Sequence, residues 1–189
     1  HKFMGSLTAG IIAGKKKYVK NIYLQNLGIG RGMKVGKEAI YAAIIGVEFW
    51  YKRNLKQELN KQNKILEYWI KFLNKKKYKG INYEIIPDPT GNKINRLRLY
   101  INYKLSNFTP QSLSYFLEKN NPSIFVRDDL IHHNHFELDT CNLKKNQEKI
   151  VMREMDKIIK MLINKKIKNN ISQKDYNNFS KKNWLNWLN

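Results

Sequence analysis

Apolar residues recur at helical spacing from Lys37 to about Asn74, at Ile40, Ile44, Val47, Tyr51, Leu55, Leu59, Leu66, Trp69 and Leu73. Residues three or four apart share one helix face, so this spacing predicts a long helix with an apolar packing stripe. Its least apolar part is the Lys- and Gln-rich stretch 52–64, and a single break is expected near Asn54 or Asn60. Ahead of it, Thr8 to Gly14 is a short apolar run bounded by glycine, which suits a buried strand. A basic amphipathic helix is expected from Lys15 to Leu27, with Val19, Ile22 and Tyr23 on one face. Gly28, Gly30, Gly32 and Gly36 then punctuate a loop, where so much glycine points to positive φ or to close approach of a ligand.

After Gly80 the period falls to two. Ile81 to Pro87 reads as a strand, Asp88 to Asn92 as a turn, and Arg96 to Tyr103 as a second strand with Leu97, Leu99, Ile101 and Tyr103 on one face. Thr109 as N-cap and Pro110 at the first helical position open a helix to about Lys119. Two more strands, Ser123 to Asp128 and His135 to Leu138, precede a helix from Lys144 to Lys165 with Val151, Met155, Ile158 and Leu162 inward. The order β-β-α-β-β-α describes an α+β domain with an antiparallel sheet and helices on one side. The tail 166–189 is polar and ends in an aromatic Trp184 to Leu188, fit for a loosely docked amphipathic helix.

With 42% hydrophobic and 12% aromatic residues in 189, the chain can bury a core and is not of disordered composition. Cys141 is the one cysteine, which excludes an internal disulfide and suits a reducing, cytoplasmic setting. No apolar run approaches the roughly 20 residues of a membrane span, so no membrane partner is expected. A net charge of +21 favours anionic partners such as phosphorylated metabolites or RNA. The same Lys- and Asn-rich runs are also what solvated faces carry.

Chemistry-bearing residues are few. His132, His133 and His135 lack a further ligand at convincing spacing, so no metal site is expected and exposed strand histidines are the simpler reading. Cys141 sits in no nucleophile motif and reads as a small buried residue. Arg31 and Lys34, three apart amid glycines, can grip an anion together with backbone N–H groups.

The stretch "HKFMGSLTAGIIAGKKKYV", followed by "LGIGRGMKVGKEAIYAAIIGVEFW", resembles the active-site lysine segment and its sequel in fold type I pyridoxal-phosphate enzymes. The branch it resembles contains bacterial selenocysteine synthase (L-seryl-tRNA selenium transferase) and D-glucosaminate-6-phosphate ammonia-lyase. Lys2 matches the lysine that forms the Schiff base, and Gly10, Gly14 and Lys15 match the glycines and the basic residue beyond that lysine. Ser6 and Leu7 stand where Gly-Pro is usual, a departure that bears on substrate rather than fold. "GIGRGMKVGKE" favours the ammonia-lyase-like members, and "IPDPTGNKINRLRL" and "NNPSIFVRDDLIHHNHFELDTCNL" resemble the small C-terminal domain.

The resemblance implies an aspartate aminotransferase-like fold of mixed α/β and α+β class. Residues 1–50 would end the large cofactor domain, 51–77 connect, 78–165 form the small α+β domain with its antiparallel sheet, and 166–189 be a basic, aromatic tail. It implies pyridoxal 5'-phosphate on Lys2, which when freed is the nearest base for the substrate α-proton. Arg31 and Lys34 would steer a phosphorylated or carboxylated substrate, and Arg127 would grip its carboxylate, with an ion pair to Asp128 or Asp129 as the competing role. The reaction implied is elimination or replacement of a substituent on an amino acid or amino-sugar acid, by a homodimer or higher homo-oligomer. Selenium transfer on tRNA, or RNA binding without catalysis, is the alternative. The phosphate cradle and the ring-binding residues of such enzymes precede the lysine, so the chain is expected to be a C-terminal fragment, inactive alone.

Overall fold

The computed structural model describes residues 7–89 and 91–186, which divide into two compact units, His1–Leu55 and Lys56–Asn189. The first holds helix α1 (Lys16–Leu24), two tight 3-10 turns (Gln25–Leu27 and Ile29–Met33) and helix α2 (Lys37–Lys52). The expected strand over Thr8–Gly14 is absent: Ile11 and Ile12 are 55% and 59% exposed, and the unit's described residues offer no neighbouring strand to complete a ladder. The α1 face fares similarly, since Ile22 and Tyr23 are 45% and 73% exposed. Helix α2 starts after an extended Gly36, with Glu38 in its first turn and Lys52 in its last, both matched to the helix dipole. Arg53 leaves helical geometry and lays its guanidinium over the Trp50 ring, 3.2 Å from the centroid. The long helical pattern is therefore divided at Arg53–Asn54, and α3 (Leu55–Lys76) begins beyond it.

The second unit is α+β. Strands β1 (Ile81–Pro87), β2 (Asn95–Ile101) and β3 (His135–Leu138) form an antiparallel sheet in the order β1-β2-β3. The register sets Leu97 opposite Leu138 and Leu99 opposite Phe136, so alternate residues of both strands enter one core. Leu66, Trp69 and Leu73 of α3, Leu113 and Leu117 of α5 (Pro110–Glu118), and Val151, Met155, Ile158 and Leu162 of α6 (Gln147–Ile163) complete it. The Trp69 indole N–H, buried with its ring, donates to the Glu148 carbonyl at 3.1 Å.

Two strand expectations fail for local reasons. Tyr103 does not extend β2: Asn102 accepts from the Lys104 N–H and turns the chain into the short helix α4 (Tyr103–Ser106). Ser123–Asp128 is not a strand either, and its pairing with β3 is a single bridge, Arg127 to Glu137. The Ile124 N–H is spent on the Leu117 carbonyl at 2.9 Å, closing the end of α5 instead. Thr109 caps α5 as its position implies, accepting from the Ser112 N–H at 3.2 Å.

The tail runs back over α5 and forms α7 (Gln173–Asn186). Ile171 and Tyr176 bury with Ile131 in a small second core, and the Ile171 N–H donates to Ser112 Oγ at 2.9 Å. The end of the expected aromatic terminus, Trp187 and Leu188, lies outside the described residues. No helix among the described residues is long and apolar enough to cross a membrane.

Two positions test this packing. Gly80 holds φ +78°, and a Cβ there would stand 2.6 Å from the Ser106 nitrogen and 3.0 Å from the Asn102 carbonyl oxygen. Gly80→Ala should cost at least about 1–3 kcal/mol in denaturant unfolding, from left-handed strain and a backbone clash. Asp156 joins α6 to the end of α3, accepting from Tyr78 Oη, Lys76 Nζ at 3.0 Å and Lys160 Nζ at 2.8 Å. Burial alone would raise its pKa, but these donors outweigh burial and hold it at about 2. A depressed folded-state carboxyl stabilises above its unfolded pKa and loses that contribution as pH falls. Asp156→Asn should thus lower stability by about 1–2 kcal/mol at pH 7, with the deficit vanishing between about pH 4 and pH 2.

Candidate functional site

Lys2 lies outside the described residues. Arg31 belongs to the 3-10 turn Ile29–Met33, and Lys34 follows it in extended conformation; both side chains are exposed. Gly28, Gly30, Gly32 and Gly36 all avoid positive φ, so the loop glycines do not serve that purpose. Gly30 favours close approach, but to the chain itself: a Cβ there would stand 3.0 Å from the Gln25 carbonyl oxygen. The tight packing of the two turns presents Arg31 and Lys34 from one short segment, in a unit whose acidic residues are Glu38 and Glu48.

Arg127 lies in the second unit, at the edge of β3, where its N–H and carbonyl exchange 2.9 Å hydrogen bonds with Glu137. Its side chain, 45% exposed, stands 3.4 Å from Asp129, 3.9 Å from Glu137 and 4.0 Å from Asp139. Beside it lies a cation that sequence reasoning missed. Arg96 is 6% exposed and bound by Asp88 and by Asp139 at 3.0 Å, with Glu137 at 3.5 Å. Burial would lower the Arg96 pKa, yet its three carboxylates raise it above the usual range. Asp139 responds in kind: burial raises it, and hydrogen bonds from Cys141 and Arg96 carry it below the ordinary carboxylate range. Arg98 adds Glu137 at 2.9 Å and Glu84 at 3.3 Å. The polar face of the sheet is therefore an interleaved ionic array with Arg127 at its exposed rim. The available signal was the alternation Arg96-Leu97-Arg98-Leu99 facing Glu137 and Asp139.

Next to the array, Asp128, Asp129, His132, Gln173, Tyr176 and Asn177 line an open cleft of about 400 Å³. Tyr176 donates to Asp128 and exchanges a 2.7 Å bond with Ser114, which fixes the cleft floor. His132 and His133 are exposed on a 3-10 turn, while His135 is buried in β3, so the three are not strand neighbours as expected. Among the described residues no group of three His, Cys, Asp or Glu side chains is arranged to hold a metal. Cys141 is half-buried, and burial together with Asp139 pushes its thiol up to about 12, leaving it protonated at neutral pH.

Pyridoxal phosphate needs a lysine and an enclosed, phosphate-binding cradle. The described cleft is lined by Asp128 and Asp129, which repel phosphate, and Arg31 and Lys34 are exposed. The described residues by themselves do not fit the cofactor.

Comparison with known proteins supplies the context. No family model matches the chain. Over 156 residues, 82% of the chain, it is 28% identical to 5'-C-glycyluridine monooxygenase-decarboxylase of a Streptomyces species, covering 38% of that protein. Over 154 residues, again 82% of the chain, it is 22% identical to D-glucosaminate-6-phosphate ammonia lyase of Salmonella typhimurium, covering 40% of it. The chain thus spans about two fifths of the length of these curated relatives. A solved structure of D-glucosaminate-6-phosphate ammonia-lyase superposes with TM-score 0.56 at 20% identity, over 78% of this chain and 38% of that one. That likeness speaks for the fold alone.

The two arginines should separate on substitution. Arg96→Ala removes the guanidinium that faces the fully buried Asp88 carboxylate and should cost about 3–5 kcal/mol in urea unfolding. Arg127→Ala, at the exposed rim, should cost no more than about 1 kcal/mol.

Proposed function

We propose that the chain is the C-terminal part of a pyridoxal-phosphate enzyme of the ammonia-lyase-like kind, eliminating or replacing a substituent on an amino acid or amino-sugar acid. The observation that carries this reading is convergence: a sequence relative and a fold neighbour both bear the name D-glucosaminate-6-phosphate ammonia lyase. The names of the two relatives point to a glycyluridine and a glucosaminate, both molecules that combine an amino group with a carboxyl group. In this reading Lys2 holds the cofactor together with residues outside this chain. Arg31 and Lys34 draw in the anionic end of the substrate, as exposed cations with few local acids to compete. Arg127, loosely paired and half-exposed, takes the substrate carboxylate.

Reduction of the longer enzyme with borohydride in the presence of pyridoxal phosphate, followed by peptide mapping, tests the assignment. The pyridoxyl group should map to Lys2 and be lost in Lys2→Ala. A label confined to other lysines would sink it.

A further inference from the structure

The sheet order β1-β2-β3 leaves β1 paired on one side alone. The Gly80 carbonyl accepts from the Asn102 N–H at 2.8 Å, and the Asp88 N–H donates to the Ile94 carbonyl at 3.0 Å. Backbone direction alternates along an antiparallel strand, so the N–H and C=O groups of Asn82, Glu84 and Ile86 face β2 and those of Ile81, Tyr83 and Ile85 face away. The Ile81 N–H turns to the Tyr78 carbonyl at 3.3 Å, whereas the outward backbone groups of Tyr83 and Ile85 meet no partner among the described residues. Folded proteins blunt such an edge with proline, lysine, a bulge or a covering element. Here the register from Ile81 to Pro87 is continuous, proline stands only at the last position, and Ile85 is 50% exposed.

The end of α3 supplies the second wall of a groove of about 540 Å³ along the start of this edge. Leu73, Tyr78, Ile81 and Tyr83 give it an apolar lining, and the Tyr83 hydroxyl donates to Asn74 Oδ1 at 2.5 Å, tying strand to helix. Lys77 gives the groove its charge: it is exposed, forms no ion pair with a described residue, and no carboxylate lines the groove beside it. In a chain of net charge +21 a cationic occupant is repelled and an acidic one is drawn in. Donors and acceptors repeating every second residue match another polypeptide backbone, which a phosphate chain without such donors does not. A second copy of β1 in full antiparallel overlap would set two Glu84 carboxylates directly opposite each other, a destabilising pair, and leave Lys77 without a counter-ion.

We propose that the β1 edge receives an extended polypeptide strand, antiparallel to β1, with apolar side chains opposite Tyr83 and Ile85 and a carboxylate opposite Ile81, where it meets Lys77. Main-chain hydrogen bonds hold such a strand, and the groove beside it selects its side chains. The proposal is independent of the cofactor assignment, and its test involves no catalysis.

The probe is the blocked peptide acetyl-Thr-Val-Thr-Val-Thr-Glu-Thr-amide, titrated into the 189-residue chain and followed by amide NMR and hydrogen exchange. The expected result is saturable binding that shifts the Tyr83 and Ile85 amides most and slows their exchange at least about tenfold at saturation. N-methylation of both valines, whose N–H groups face β1, should abolish binding. N-methylation of the two threonines that flank the second valine, whose N–H groups face solvent, should leave binding within about twofold at the same charge. Replacing the peptide glutamate with lysine should weaken binding several-fold, and Lys77→Glu, with its circular dichroism spectrum intact, should reverse that preference. Absence of binding at millimolar peptide overturns the proposal. So does binding indifferent to valine N-methylation, which would be charge attraction alone, or a charge preference that Lys77→Glu leaves in place. A dimer of the chain alone that Ile85→Pro dissociates overturns it equally, since a second copy would then occupy the edge.

Discussion

The sheet unit depends on one buried cation, the Arg96 guanidinium. Taking it out of water costs several kcal/mol unless carboxylates surround it, and the three that do come from two distant stretches. Asp88 follows β1, Glu137 lies within β3, and Asp139 leaves it. Satisfying one charge therefore fixes the β1–β2 turn, the middle strand and the exit of β3 at once. The apolar face opposite is held by Leu97, Leu99, Phe136 and Leu138, where volume-conserving exchange is tolerated. On the ionic face the buried Arg96–Asp88 pair cannot lose one partner without cost to the other.

Much of this unit was legible from periodicity. Ile81–Pro87 and His135–Leu138 are strands as their alternation implied, and Thr109–Pro110 opens its helix through a local side-chain cap. The failures share a cause: a hydrogen bond that alternation does not encode. The Ile124 N–H goes to Leu117 and leaves Ser123–Asp128 with a single bridge, while Asn102 caps Lys104 and ends β2 before Tyr103. Arg96 was missed because alternating arginines read as a solvated face, and two of the three carboxylates that bury it, Glu137 and Asp139, lie far along the chain.

The helical stripe teaches a different limit. Leu66, Trp69 and Leu73 of α3 are buried, and Ile40, Ile44 and Val47 of α2 are not, though one continuous pattern predicted both. Periodicity shows that a face is meant to pack but not which polypeptide supplies the other side. The same limit applies to the site residues. Lys2 and Arg127 came forward through resemblance to a longer enzyme and Arg31 and Lys34 first through their spacing amid glycines, and the described residues bring Arg31 and Lys34 onto one segment while Arg127 belongs to the other unit.

Arg96 and Arg127 share Glu137 and Asp139 but differ in what they can give up. Arg96 is enclosed at hydrogen-bonding distance, so exchanging a partner there would expose a buried charge. Arg127 stands 3.4–4.0 Å from its three carboxylates and is 45% exposed, a range in which an ion pair contributes about 0–1 kcal/mol. An incoming carboxylate that forms a bidentate pair at shorter distance gains more than the pairs it replaces. Glu137 and Asp139 then fall back on Arg96 and Arg98, which already hold them. The inner arginines thus let the outer one change partners at small cost, which suits the carboxylate-binding role proposed for Arg127.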